Sequence, residues 1–423
     1  MNTLISKLQN HIDTYGLDSL KNLAYHFSKK HEYSCILDSC QLNTGVHGGE
    51  FEFLGAFGAK KLICTYAEFK NHTTTNKDWM FGILGYDLKN NFEKAESNNN
   101  EIIATDEVFF FIPQIVIGID KNEKIVVLKG DIPNNFWDTS SISKKIKTTS
   151  HTSPVSKSKY LDKIAEIHEL IKAGDVYELN YCVPHTTEYD TFDPIQFHID
   201  LLKKSPVPMA SYLKAKHIHL CGASMERFLM KKGNTLISQP IKGTIKKGST
   251  STEDLKLIHQ LENSEKDRAE NVMIVDLVRN DLNRVCETGT VKVKELFGIY
   301  SYLQVHQMIS TIEGKVNNDI TIDTILRATF PMGSMTGAPK IATMQHIERL
   351  EDFKRGWYSG ALGYISPTND FDFNVVIRTV LCDTKKKLLN YNAGGAITID
   401  SIAEEEWKEV QLKTKAITEV LAN

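Results

Sequence analysis

The sequence predicts an α+β protein built on antiparallel strands, and three observations carry that expectation. Short β-rich runs such as Cys35-Ile36-Leu37, Leu62-Ile63-Cys64-Thr65-Tyr66 and Lys124–Leu128 are punctuated by Gly, Asn and Asp, which suits strands joined by turns. Other stretches repeat apolar residues at helical spacing, among them Leu4, Leu8, Ile12 and Tyr160, Ile164, Ile167, Ile171. At 423 residues, 41% hydrophobic and 24% charged, the chain has an ordinary globular composition and can bury a large core.

Taken in order, residues 1–30 read as helical, and Tyr33 to Leu128 as short strands. The apolar run Phe109–Ile117 is broken by Pro113 and is too short to span a membrane, so it reads as a buried strand pair. Thr139 to Ser158 is rich in Ser, Thr and Lys and reads as a surface loop or linker. It divides a variable N-terminal part (1–138) from a C-terminal region (159–423) that carries the candidate chemistry. There a helix over Tyr160–Lys172 stops at Ala173-Gly174-Asp175, and Val176–Tyr181 resumes as a strand. Asp193-Pro194 supplies an N-cap and a first-turn proline for a helix through Leu202. Strands are expected at His217–Cys221, Glu226–Met230 and Thr235–Ser238. Glu253–Val285 reads as helical, with Ser264-x-x-Asp267 resembling a capping box. Further strands fall at Val291–Val293 and Tyr300–Val305. A helix carrying Ile341, Met344, Ile347 and Leu350 follows a proline in its first turn. A hairpin region spans Gly360–Ile365, Asp372–Leu381 and Leu388–Ala393, and a last helix runs from about Ala403 to Leu421.

The formal net charge of -3 and the lack of a long basic run argue against a nucleic-acid partner. No stretch approaches the roughly 18 apolar residues of a membrane helix. The N-terminus has no apolar core or cleavage site of a signal peptide. Seven scattered cysteines without C-x-x-C suit reduced thiols, and a cytoplasmic protein is expected.

Several residues stand out chemically. Lys242 lies in Gln239-Pro240-Ile241-Lys242-Gly243-Thr244, either as a solvated charge or as an amine awaiting a small anionic substrate. Asp267 with Glu270, and Glu406 with Glu409, are i,i+3 pairs on expected helices. They are either solvated acidic faces or oxygen ligands of a shared cation, for which Mg²⁺ is the natural choice. Lys413 follows Glu409 by one helical turn and could pair with it. Gly333–Lys340, with Thr336, puts small residues and hydroxyls at a helix start, a place that favours anions. Ala393-Gly394-Gly395-Ala396 reads as a second small-residue turn. Arg378 sits among strand apolars and must face a carboxylate or solvent. His306 is either a satisfied structural histidine or a group that positions substrate. Glu226 faces solvent, or else shares a site with Lys242 if strands joined near Lys232-Gly233-Asn234 carry both. The pair would then supply a proton donor and an amine nucleophile.

The segments PIKGT, SEKDRAENVMIVDLVRNDL, FPMGSMTGAPK, RGWYSGALGY, VVIRT, AGGAI and EEEWKEVQLKTKAI occur in that order over about two thirds of the chain. Together they resemble the chorismate-utilising enzymes, which include anthranilate synthase large subunits, isochorismate synthases and component I of aminodeoxychorismate synthase. The resemblance implies two large antiparallel β-sheets packed face to face with helices outside. It implies Glu270 and Glu409 as Mg²⁺ ligands, with Asp267 and Glu406 behind them or acting through water. The ring carboxylate of chorismate would lie on the metal near Gly243 and Thr244. Arg378, Tyr358 and the backbone at Gly394 and Gly395 would hold the enolpyruvyl carboxylate. Ala396 replaces a frequent glycine, which puts details of the carboxylate contact in doubt. Asp38 replaces a frequent glutamate, which with the short N-terminal region puts any tryptophan pocket in doubt.

A lysine at the place of Lys242 resembles the branch that aminates C4. The Lys242 amine would attack C2, and ammonia would then attack C4, assisted by Glu226. The amine must be neutral to attack, so its pKa is expected to fall through desolvation and the nearby metal. No cysteine has the G-x-C-x-G setting of a glutaminase, so the resemblance implies a separate glutamine amidotransferase supplying ammonia. The product would be 4-amino-4-deoxychorismate, on the way to 4-aminobenzoate and folate. The competing readings are C2 amination as an anthranilate synthase, an isochorismate or salicylate synthase, and a non-catalytic chorismate-binding subunit.

Overall fold

The computed structural model describes residues 2–42, 45–75, 77–93, 97–138, 146–152 and 155–422. Helices α1 (Asn2–Tyr15) and α2 (Leu17–Ser28) lead into strands β1 (Tyr33–Asp38) and β2 (Phe51–Ile63). Helix α3 (Tyr66–Thr75) precedes β3 (Met80–Leu84), β4 (Val108–Asp120), β5 (Ile125–Lys129) and β6 (Lys147–Thr152). Next come α4 (Lys157–Lys172), β7 (Glu178–Thr191), α5 (Pro194–Lys204), β8 (Met209–Ala215), β9 (Ile218–Ser224), β10 (Arg227–Lys232), β11 (Thr235–Gln239) and β12 (Ile241–Lys246). Helices α6 (Ser251–Glu262) and α7 (Glu265–Asn283) precede β13 (Lys292–Ser301), β14 (Val305–Lys315), α8 (Ile322–Thr329), β15 (Gly337–Ala338) and α9 (Lys340–Leu350). The chain closes with β16 (Ala361–Ile365), β17 (Phe371–Val375), β18 (Thr379–Asp383), β19 (Leu388–Ile397) and α10 (Ala403–Leu421).

The expected α+β architecture with antiparallel strands is present, and its strands join into one continuous ladder. From β7 it runs through β19, β18, β9, β8, β1, β2, β4, β3, β16, β17, β10 and β11 to β14, which carries β12 and β13. The ladder folds over on itself, because its two far ends meet: Lys242 on β12 forms an ion pair with Glu178 on β7. Helices cover the outside, with α7 against β12 and β14 and α10 against β19. No helix among the described residues is long and apolar enough to cross a membrane, and all seven cysteines are free.

Local sequence explains most element boundaries. Asp193 caps α5 by accepting from the N–H groups of Ile195 and Gln196, ahead of Pro194. Ser264 accepts from the Asp267 N–H, so the predicted helix over 253–285 is two helices divided at Asn263-Ser264. Tyr160, Ile164 and Ile167 form the buried face of α4, and burying each isoleucine contributes about 1.5–3 kcal/mol.

Three expectations need correction. Phe109–Ile117 belongs to one 13-residue strand, not a pair. Pro113 is tolerated because it lies opposite Ala59, where a bulge in β2 interrupts the register. Within the expected loop 139–158, residues 147–152 form β6 and pair with β7, since Thr-rich extended chain can complete an edge. Residues 139–145 and 153–154 of that loop lie outside the described residues. Third, the C-terminal part of the hairpin region reaches farther than expected, with β19 continuing through Ile397.

Strands of the N-terminal part are paired into the same ladder, β1 with β8 and β3 with β16. Asp38 is buried there, 2.7 Å from the Lys21 ammonium, which also lies 3.2 Å from Glu52.

Candidate active site

The β10–β11 hairpin turns at Gly233, as the spacing suggested, and places Arg227 opposite Gln239. Glu226 therefore enters β10 beside the point where Pro240 leads into β12. Its carboxyl is buried, and burial raises its pKa from 4.5 to about 7. The Ser334 side chain, the Lys242 and Lys413 ammonium groups and the Ile241 N–H oppose that rise. At neutral pH a substantial share of Glu226 is thus protonated, the state a proton donor needs.

Lys242 is not a solvated charge. Its side chain is 10% exposed and its Nζ lies 2.6 Å from Glu178 Oε1, whose side chain is 3% exposed. Burial alone would lower the lysine pKa. Glu178, Glu270 and Glu226 outweigh burial and raise it above 10.5, so the expected downward shift is not found. The cause is a carboxylate the sequence reading passed over. Glu178 opens β7 between Tyr177 and Leu179, and its partner lies at the other end of the ladder. A charged residue at the start of an otherwise buried strand was the available signal.

Gly243 has φ +92, and an added Cβ would lie 3.1 Å from Asp267 Cβ and Oδ1. Glycine is needed there both for the backbone angle and for the close approach of α7. Asn271, also on α7, donates to the Lys242 carbonyl and accepts from the Ser310 hydroxyl, which fixes the lysine-bearing strand to its neighbours. Thr244 pairs with Gln307 in the ladder and has an exposed side chain.

The carboxylate pairs come together from α7 and α10. The Lys266 ammonium lies 3.8 Å from Glu270 Oε1 and 3.8 Å from Glu406 Oε1, so one cation bridges the helices. Burial raises the pKa of both carboxyls. Ser401 donates to Glu406 at 2.8 Å. Glu409 is held below its ordinary range chiefly by Lys413, 2.6 Å away. Asp267 accepts from Ser264 and faces Gly243. The bridging carboxylates are therefore Glu270 and Glu406, with Glu409 beside them on Lys413.

The two small-residue segments differ from expectation. Gly394-Gly395 lies inside β19, paired with Cys182 and Tyr181, instead of forming a turn. A Cβ on Gly394 would come within 2.2 Å of the Tyr181 carbonyl, and one on Gly395 within 3.2 Å of Glu406 Oε2. These glycines let β19 lie close to β7 and to the α10 carboxylates, and Lys413 donates to the Gly394 carbonyl at 2.7 Å. Ala396 pairs with Asn180. The Gly333–Lys340 segment is not a helix N-terminus at Thr336. Gly337 and Ala338 pair with β7, α9 begins only at Lys340, and the buried Thr336 hydroxyl donates to the Met332 and Gly333 carbonyls.

Arg378 occupies a kink between β17 and β18 with φ +52, not a strand. A non-glycine residue pays roughly 1–2 kcal/mol for that conformation. The kink aims the guanidinium at α10, where it donates to the Lys413 carbonyl at 2.8 Å, with Glu409 and Tyr358 close enough to perturb it. The buried Tyr358 hydroxyl lies 3.6 Å from the Cys182 thiol. His306 lies opposite Ile245 on the lysine-bearing strand. Its ring nitrogens meet Ser301 at 2.7 Å and Asp254 at 2.8 Å, against α6.

Comparison with known proteins identifies the family. Residues 41–419 match the family described as chorismate binding enzyme. Aminodeoxychorismate synthase component 1 of Bacillus subtilis strain 168 is 30% identical over 96% of this chain and 91% of its own length. The chloroplastic aminodeoxychorismate synthase of Arabidopsis thaliana is 38% identical over 92% of this chain, which spans 45% of that longer protein. Anthranilate synthase component 1 of Saccharolobus solfataricus is 35% identical over 81% of this chain and 80% of its own length. The crystal structure of anthranilate synthase component I from Streptococcus pneumoniae TIGR4 superposes with a TM-score of 0.75 at 25% identity, covering 89% of this chain and 94% of that one. The chain belongs to the family of chorismate binding enzymes.

Proposed function

We propose that this chain converts chorismate and ammonia to 4-amino-4-deoxychorismate through attack of Lys242 on C2. The observation that carries the reading is the buried lysine itself, held in ion-pair contact beside a raised-pKa acid and two carboxylate-bearing helices. Direct attack of ammonia at C2 leaves nitrogen at C2. A lysine that attacks C2 first leaves C4 as the site for ammonia, since two allylic displacements return the new nitrogen there. Glu226 would protonate the departing C4 hydroxyl. Arg378 would face the enolpyruvyl carboxylate. Relatives named as component 1 support a separate glutamine amidotransferase as the ammonia source.

The carboxylates are the oxygen donors that Mg²⁺ prefers, and they come from two helices that the Lys266 ammonium already bridges. Among the described residues no three of them converge as a ready-made metal cage, so an ion held here would also draw on water and a substrate oxyanion. Glu270, Glu406 and Glu409 would hold the ion, with Asp267 behind them, and Lys266 would move aside. Bound there, Mg²⁺ would supply positive charge to the ring carboxylate. Glu270→Gln is expected to abolish the Mg²⁺-dependent part of chorismate binding in calorimetry; unaltered binding would rule out this ligand.

The test of the reading is an assay with chorismate, Mg²⁺ and ammonia. Nitrogen at C4, identified by mass and by NMR position, is expected. Nitrogen at C2, hydroxyl transfer or no turnover would reject it in favour of the competing chorismate chemistries.

A further inference from the structure

Resting on that reading, the structure raises a problem that also points to its answer. A nucleophilic amine must be neutral, yet Lys242 is held as an ammonium in a buried site. Its proton needs an acceptor inside the protein. Four carboxylates face the amine: Glu178 from β7, Glu226 at the entry to β10, Glu270 from α7 and Glu409 from α10. Among the described residues only Glu178 is in ion-pair contact with it, at 2.6 Å. Glu178 is also fixed in place. Its backbone pairs with Ala338, and a Cβ on Gly337 would come within 2.1 Å of its carbonyl oxygen.

We propose that Glu178 is the base for Lys242: it takes the ammonium proton as the amine attacks C2, keeps it while lysine is bonded to substrate, and returns it when lysine leaves. The two carboxyls then have separate duties. In the first displacement the Lys242 lone pair forms the N–C2 bond and both conjugated ring double bonds shift, from C1=C2 and C5=C6 to C1=C6 and C4=C5. The C4–O bond breaks, and the oxygen leaves as water with the proton of Glu226. In the second, ammonia forms the N–C4 bond, both double bonds shift back and the C2–N bond breaks, releasing Lys242 as neutral amine. The new C4 ammonium gives a proton to the Glu226 carboxylate, and Lys242 recovers its own from Glu178. The sum is chorismate plus ammonia giving amine and water, with both carboxyls restored.

The isosteric Glu178→Gln variant tests this, with free ammonia held constant at each pH and Lys242→Ala run beside it. Loss of C4 amination on the order of 10²-fold near pH 7.5 is expected. The deficit should shrink as pH rises and Lys242 loses its proton to solvent. Taking the ratio to wild type at each pH cancels the titration of Glu226. Glu178→Asp, which keeps a carboxylate, should follow the wild-type pH profile even at a lower rate. A Gln variant within about threefold of wild type, a deficit independent of pH, or an Asp variant relieved by high pH would overturn the assignment. If Lys242→Ala still forms C4 product, the lysine route itself fails. If only Lys242→Ala is inactive, the assignment of Glu178 fails alone.

Discussion

Lys242→Ala is expected to lose C4-aminated product by a factor on the order of 10⁴ or more, the scale on which one member of an interdependent catalytic unit acts. Three features support so large an effect. The amine is the proposed bonding atom, it is buried, and among the described residues no other lysine forms an ion pair with Glu178. Some C2-aminated product can persist, because direct attack by ammonia needs no lysine. The same substitution strands Glu178 in the interior. Removing one partner of a buried ion pair costs about 3–5 kcal/mol, so a lower Tm should accompany the loss. Retained Mg²⁺-dependent chorismate binding, read by calorimetry, separates the chemical effect from the structural one. Unchanged C4 amination by the variant would sink the covalent route.

Glu226→Gln is expected to lower kcat by about 10²–10⁴-fold, the usual worth of a positioned acid. It also carries a pH signature. Wild-type Glu226 titrates at about 7, raised by burial, so its donor form is abundant below pH 7 and depleted above it. With free ammonia held constant, kcat/KM for chorismate should fall as pH rises through about 7, and the Gln variant should lack that limb. The sign for stability is the same. A carboxyl raised from 4.5 to about 7 contributes stability that is fully present below 4.5 and lost as pH rises through 7. The Gln variant has no such loss from this position. A variant that keeps both the rate and the limb would assign the proton donor elsewhere.

How much of this could be read from the sequence depends on the distance over which each feature is determined. Helix ends set by neighbouring residues were legible: the Asp193-Pro194 cap, the Ser264 cap, and α10 from Ala403 to Leu421 all follow from local rules. The Glu226–Lys242 relation was legible too, because a short hairpin ties the two residues together. Glu178 was not, since its contact with Lys242 forms only when the two ends of the ladder meet. That one contact also reverses the expected direction of the lysine shift. Desolvation follows from burial of the lysine alone, whereas the opposing carboxylate is a product of the whole topology. Arg378 and the glycines at 394–395 show a smaller form of the same difficulty. A strand-like apolar run does not reveal a left-handed kink, and a small-residue string does not distinguish a turn from a strand packed tightly against its neighbour. The carboxylate pairs were correctly placed on α7 and α10, but the bridging role of Lys266 depends on how those helices approach.

The most direct test of the central claim is to look for the bond itself. The protein would be incubated with chorismate and Mg²⁺ without ammonia, quenched, and examined by intact and peptide mass spectrometry. The account predicts an adduct with the mass of chorismate less one water, confined to the peptide containing Lys242 and discharged as C4-aminated product when ammonia is added. An unmodified Lys242 peptide, in protein that forms C4-aminated product as soon as ammonia is supplied, would contradict it.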